Sequence, residues 1–146
     1  NVPIRGRSNL IETGKYTVID DCYNANPASV KASLDVLSCA DTRTVAVLGD
    51  MFELGEHSGK MHYDTGVHAA QTGIDVLVCI GSLSADTARG AQEAAREKGQ
   101  TIKVVHYTSK EEFFEQADSL LKENDTILVK ASHGMEFSKI VDWLQN

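Results

Sequence analysis

Five short runs of β-branched and aliphatic residues, each followed by a polar turn and then by apolar residues at helical spacing, constrain this chain more than any other feature. The runs cover residues 16–20, 44–48, 75–80, 102–107 and 125–130. Helical patterns follow at 27–39, where Val30, Leu34 and Leu37 recur, and at 58–71, where Met61, Val67 and Ala70 are expected to face inward. Three more follow at 84–98, at 109–122 behind a Ser109 cap, and at 135–144. Gly73 and Gly99 supply helix stops. Strands apolar on both faces, alternating with helices, build a mainly parallel sheet covered on both sides. The predicted class is α/β, a Rossmann-like three-layer domain over residues 16–146. Residues 1–15 read as a polar lead-in, with Gly14-Lys15 turning the chain into the first strand.

The 146 residues, 42% hydrophobic and 24% charged, suffice for one core. A net charge of −7, without a Lys/Arg run, argues against a nucleic-acid surface. No apolar segment has the length of a membrane span, and no signal-peptide pattern opens the chain. Cys22, Cys39 and Cys79 are odd in number and lack CxxC spacing, so they read as reduced thiols of a cytoplasmic protein, expected to be a monomer. The sequence starts at Asn1 without a methionine, and Arg5-Gly6-Arg7 is its only basic cluster. It reads as a piece of something longer.

The turns carry the chemistry. Asp20-Asp21-Cys22-Tyr23-Asn24-Ala25-Asn26-Pro27 joins the first strand to the first helix, with Asn26 suited to the N-cap and Pro27 to the first helical position. Acidic neighbours should raise the Cys22 pKa, which argues against a thiolate nucleophile. A second turn, 49–56, contains Asp50, and a third follows Lys130. Right-handed crossovers bring Asp21, Asn24, Asp50, Gly81 and Lys130 to one rim of the sheet, at the strand ends where anionic ligands bind in such folds. There is no GxGxxG turn and no GxxxxGK[ST] loop, so nothing here cradles a triphosphate alone. Carboxylates and histidines at strand ends invite a two-metal phosphoesterase reading, but the ligand spacing is wrong. His57, His62 and His68 do not stack on one helix face and are expected to be surface or partly packed histidines.

Three stretches, Asp20 to Ser29, Val47 to Gly55 and Val129 to Met135, resemble the C-terminal domain of MurF-type Mur ligases, and the resemblance runs over essentially the whole chain. It implies a three-domain enzyme whose N-terminal domain holds the UDP-sugar peptide and whose central P-loop domain holds most of ATP and magnesium. The family joins D-alanyl-D-alanine to UDP-N-acetylmuramoyl-tripeptide through an acyl phosphate in cell-wall biosynthesis. This chain would close over the site. On that basis Arg7, Asp21, Tyr23, Asn24 and Asn26 are expected on the nucleotide or reacting-centre side, and Lys130, Ser132, His133 and Asp50 on the dipeptide side, with no metal ligands. The family usually has Lys-Gly-Ser-Arg where this chain has Lys130-Ala131-Ser132-His133. The competing reading is a stand-alone Rossmann-like nucleotide- or anion-binding module without catalysis.

Lacking a P-loop, the chain by itself is expected neither to hydrolyse ATP nor to bind it at micromolar concentration, because a partial site leaves most phosphate contacts unmade. Titration calorimetry with ATP checks this, and a micromolar dissociation constant overturns it.

Overall fold

The interior strands are near-continuous apolar runs, and in the computed structural model, which describes residues 2–3 and 9–146, they sit where both faces are covered. β1 (Val2–Pro3), β2 (Asn9–Glu12), β3 (Thr17–Asp20), β4 (Thr44–Gly49), β5 (Val76–Ile80), β6 (Lys103–Tyr107) and β7 (Thr126–Lys130) form a sheet in the order β1-β2-β3-β7-β4-β5-β6. The five strands from β3 to β6 in that order run parallel, while β1 and β2 are antiparallel additions at the edge. The helices are α1 (Pro27–Ser38), α2 (Ser58–Thr72), α3 (Ser84–Lys98), α4 (Lys110–Leu120) and α5 (Ser138–Leu144). None of the described helices is long and apolar enough to cross a membrane.

Alternation along each strand divides the core in two. Val45 and Val47 of β4, with Val76, Val78 and Ile80 of β5, pack against Phe113, Ala117, Phe137 and Ile140 from the α4 and α5 side. Ala46, Leu48, Leu77, Cys79 and Leu128 point the other way, onto Val30, Leu34 and Leu37 of α1 and the alanines of α2 and α3. The chain steps from β3 to β4, β5 and β6 with α1, α2 and α3 on one face, then returns to β7 through α4 on the other. That reversal seats β7 between β3 and β4. The carboxyl ends of these three strands therefore stand side by side, the position at which open α/β sheets hold ligands.

The α/β class and the five core strands agree with the sequence reading; three local features differ. Asn9–Glu12 is a strand rather than part of a polar arm. Only Leu10 and Ile11 are apolar in it, one packed against each core, so it is too short to show a period; its ladder to β3 forms because the hairpin turn is specified. In that turn Thr13 Oγ1 accepts the Tyr16 N–H at 2.8 Å, and Gly14 has φ +90°. The last helix begins at Ser138 rather than 135, because a 3₁₀ turn, His133–Met135, and a left-handed Glu136 come first and drive Phe137 into the core. In α2, Met61 and Val67 are only partly buried; the inward stripe is His62, Thr65, Gly66, Ala69 and Ala70.

Beyond His62 this stripe is made of small residues because α3 lies almost against it. A Cβ on Gly66 would collide with the Thr87 carbonyl, and one on Gly90 with the Tyr63 carbonyl. Backbone cannot step aside as a flexible side chain can. Gly66→Ala should therefore destabilise the domain by about 1–3 kcal/mol, the usual range for overpacking, measured by urea unfolding; an unchanged midpoint would refute the close contact.

Candidate functional site

The turn after β3 is set by its own side chains. Asp20 Oδ1 accepts the Cys22 N–H at 3.3 Å and the Cys22 Sγ lies 2.9 Å from it, an Asx-type turn that ends the strand. Burial, then the hydrogen bond to Asp20 and its charge, push the Cys22 thiol up to about 12, so it stays protonated at neutral pH. Asn26 caps α1 as its residue type predicts. Its Oδ1 accepts the Ser29 N–H at 2.9 Å, and Ser29 Oγ accepts the Asn26 N–H at 3.1 Å, a reciprocal capping box. The Asn26 carboxamide oxygen is thus committed to the helix.

Asp21 and Lys130 meet below this turn. Lys130 Nζ donates to Asp21 Oδ2 at 2.8 Å and to the Asn24 carbonyl at 3.0 Å, while Ser33 Oγ donates to the same Asp21 oxygen at 2.6 Å. Lys130 is only 3% exposed, so it is not a strand-end lysine stretching into water. The expected convergence of the Asn24 and Lys130 loops is present as a direct hydrogen bond. Ser33 was not singled out in the sequence. It lies one helical turn past the capping box, and nothing local marks it.

Asp50 forms a second corner. Its Oδ1 accepts both the backbone N–H and the Oγ–H of Ser84, at 2.8 and 2.7 Å, pinning the start of α3 to the end of β4. Gly81, at φ +116°, passes so close to the Asp50 carboxylate that a Cβ would meet it. Ser132 N–H donates to the Asp50 carbonyl at 3.1 Å, and Ser132 Oγ accepts the Phe52 N–H at 2.8 Å. Asp50 and Ser132 are both buried, at 5% and 6% exposure. Asp21, Asn24, Asp50, Gly81 and Lys130 therefore share one contiguous rim, as the crossover argument predicts, but the charges are turned inward, Asp21 and Lys130 onto each other and Asp50 onto Ser84.

His62 corrects an expectation. It is fully buried rather than at the surface or partly packed, with Nε2 accepting the Met51 N–H at 3.0 Å and Nδ1 2.8 Å from the Ser58 carbonyl. Two matched partners make a buried imidazole acceptable. Its place in the inward stripe of α2 is fixed by the contact with α3, which nothing local in the sequence marks. His57 and His68 do lie at or near the surface, His68 Nε2 contacting Asp35 Oδ1 at 2.7 Å.

The outer layer of the rim is aromatic and polar. Tyr23 is 51% exposed, and its ring centroid lies 5.8 Å from that of exposed His133. Phe52, 41% exposed, stands over Gly134, and Lys110 Nζ holds the same turn by donating to the Met135 carbonyl at 2.7 Å. The Asn24 side chain is also exposed. Arg7 lies outside the described residues. Tyr23, Asn24, His133 and Phe52 are exposed at this rim.

The protein-family model described as "Mur ligase, glutamate ligase domain" matches residues 6–133. The chain is 33% identical over 138 residues to the UDP-N-acetylmuramoyl-tripeptide–D-alanyl-D-alanine ligase of Bacillus subtilis, covering 92% of this chain and 29% of that protein. It is 33% identical over 132 residues to the ligase of the same name from Escherichia coli, covering 88% of this chain and 26% of that protein. A crystal structure of MurF from Acinetobacter baumannii superposes with a TM-score of 0.82 at 26% identity, covering 99% of this chain and 30% of that one. The chain thus spans less than a third of the length of these relatives. A match over this much of the chain shows that the protein belongs to the Mur ligase family, as its glutamate ligase domain.

Proposed function

We propose that the chain is the C-terminal domain of a cytoplasmic, monomeric, three-domain ligase that joins D-alanyl-D-alanine to UDP-N-acetylmuramoyl-tripeptide in peptidoglycan biosynthesis. Residues 1–15 join it to the central domain, with Asn9–Glu12 built into this domain's sheet. The observation that carries this reading is the bond from Lys130 to Asp21 and to the Asn24 carbonyl, which unites two of the three stretches that resemble MurF-type ligases. ATP supplies the phosphoryl group that activates the tripeptide carboxylate. The dipeptide amine then attacks the acyl carbon, phosphate leaves, and an amide forms.

The rim divides this work. Tyr23 and Asn24 are the exposed groups that would meet the nucleotide or reacting centre, held in place by Asp21 and the Asn26 cap. His133 is the exposed group on the dipeptide side. Lys130, Ser132 and Asp50, buried beneath it, act by fixing the turn that carries it. Magnesium does not fit this rim, because no three His, Cys, Asp or Glu side chains gather as a metal site among the described residues, and Asp21 and Asp50 already hold Lys130 and Ser84. Metal and triphosphate belong to the central domain. Closure of this domain onto that one would expel water from the acyl phosphate, which otherwise hydrolyses.

The test is phosphate release by the full-length protein. It should require UDP-N-acetylmuramoyl-tripeptide, D-alanyl-D-alanine and ATP together; release indifferent to the dipeptide would defeat the reading. In the same protein Asn24→Ala should lower kcat/KM by about tenfold or more, about 1.4 kcal/mol of transition-state stabilisation, with little change in Tm because the side chain is exposed. Lys130→Met should behave oppositely. It strands a buried carboxylate and should cost about 3–5 kcal/mol of stability, most of it recovered when Asp21→Leu is added. Denaturant unfolding of the two variants checks this, and equal stability of Lys130→Met and wild type would count against the buried pair.

A further inference from the structure

Residues 52–57 leave the end of β4 as a largely exposed segment, anchored by half-buried Leu54 and closed by a 3₁₀ turn at Gly55–His57, with Phe52 near its base and left-handed backbone at Glu53 and Gly55. Both feet of this loop end on one side chain. His62 Nε2 accepts the Met51 N–H at 3.0 Å, and its other nitrogen, Nδ1, lies 2.8 Å from the Ser58 carbonyl. A ring nitrogen that accepts cannot also carry the proton, so the proton sits on Nδ1 and is donated to Ser58. Acceptor and donor therefore face opposite ends of the loop from one rigid ring. A third bond, Phe52 N–H to Ser132 Oγ at 2.8 Å, ties the same loop to the turn that carries His133 and Gly134.

A histidine that merely filled space here would need partners for its nitrogens, but those partners need not be the two feet of the segment that carries exposed Phe52. We propose that His62 is a positioning residue for ligation. It clamps the 52–57 loop so that Phe52, standing over Gly134, forms one apolar wall for the incoming dipeptide. This rests on the ligase reading above. The dipeptide's methyl groups are the apolar substrate surface that such a wall fits. Because a wall contributes to docking in the ground state and the transition state alike, its loss appears in KM rather than in kcat.

Three variants of the full-length protein test the clamp and the wall separately. His62→Phe keeps an aromatic ring and removes both hydrogen bonds, His62→Gln keeps an acceptor for the Met51 N–H, and Phe52→Ala removes the wall on an exposed loop. His62→Phe and Phe52→Ala should each raise KM for D-alanyl-D-alanine about tenfold, with kcat and KM for ATP changed less than about threefold. His62→Gln should recover most of the loss. If His62→Phe does not fold, Phe52→Ala and His62→Gln decide. An unchanged dipeptide KM in Phe52→Ala overturns the proposal, as does a His62→Gln protein whose dipeptide KM, ATP KM and kcat all worsen together. Wild-type protein that joins no dipeptide overturns the ligase reading itself, whereas wild type that does so, with Phe52→Ala indistinguishable from it, overturns only the role of the clamp.

Discussion

A lysine ammonium taken out of water costs several kcal/mol unless a carboxylate and further acceptors replace its hydration. Lys130 is buried at the end of the central strand, and its replacements come from far off in sequence: Asp21 Oδ2 and the Asn24 carbonyl. The pair cannot form unless β7 lies beside β3, and β7 lies beside β3 only because the chain reverses direction after β6. The ion pair and the topology thus select each other. An apolar pair of similar size would stabilise the core at least as well. What the charged pair adds is direction, since ammonium and carboxylate are satisfied in one arrangement of the two turns.

The rim is built in two depths. The inner one is a set of satisfied polar groups, Asp21 with Lys130 and Ser33, Asp50 with Ser84, and Ser132 with the Phe52 N–H. The outer one is Tyr23, Asn24, His133 and Phe52, whose side chains face outward. Residue type assigns the charged groups to the ligand. Geometry reverses that for Asp50 and Lys130, which are buried and satisfied by hydrogen-bonding partners, and adds Phe52, an aromatic left exposed on its turn.

The sheet was legible because its strands are apolar on both faces and its helices carry their own punctuation, as with Asn26-Pro27 at one end of α1 and Gly73 and Gly99 beyond α2 and α3. The meeting of Asn24 and Lys130 followed from the handedness of crossovers alone. Three things were not legible. Asn9–Glu12 carries two apolar residues, too few to show a period. His62 looks polar on an exposed-seeming helix until α3 is known to lie against Gly66, and that contact joins residues of two separate helices. The late start of α5 depends on Glu136 adopting left-handed backbone, which its residue type does not announce. In the last two cases a non-local contact, or a conformation foreign to the residue, decided the outcome.

The antiparallel edge has a mechanical meaning. Asn9 pairs with Asp20, so β2 starts level with the point at which β3 finishes. Tension applied to the backbone at Asn9 passes sideways, through ladder hydrogen bonds, into the strand whose last residue opens the Asp20–Asp21 turn. A pull on that edge strand is felt one hydrogen-bonded rung away, at the turn from which Tyr23 and Asn24 project.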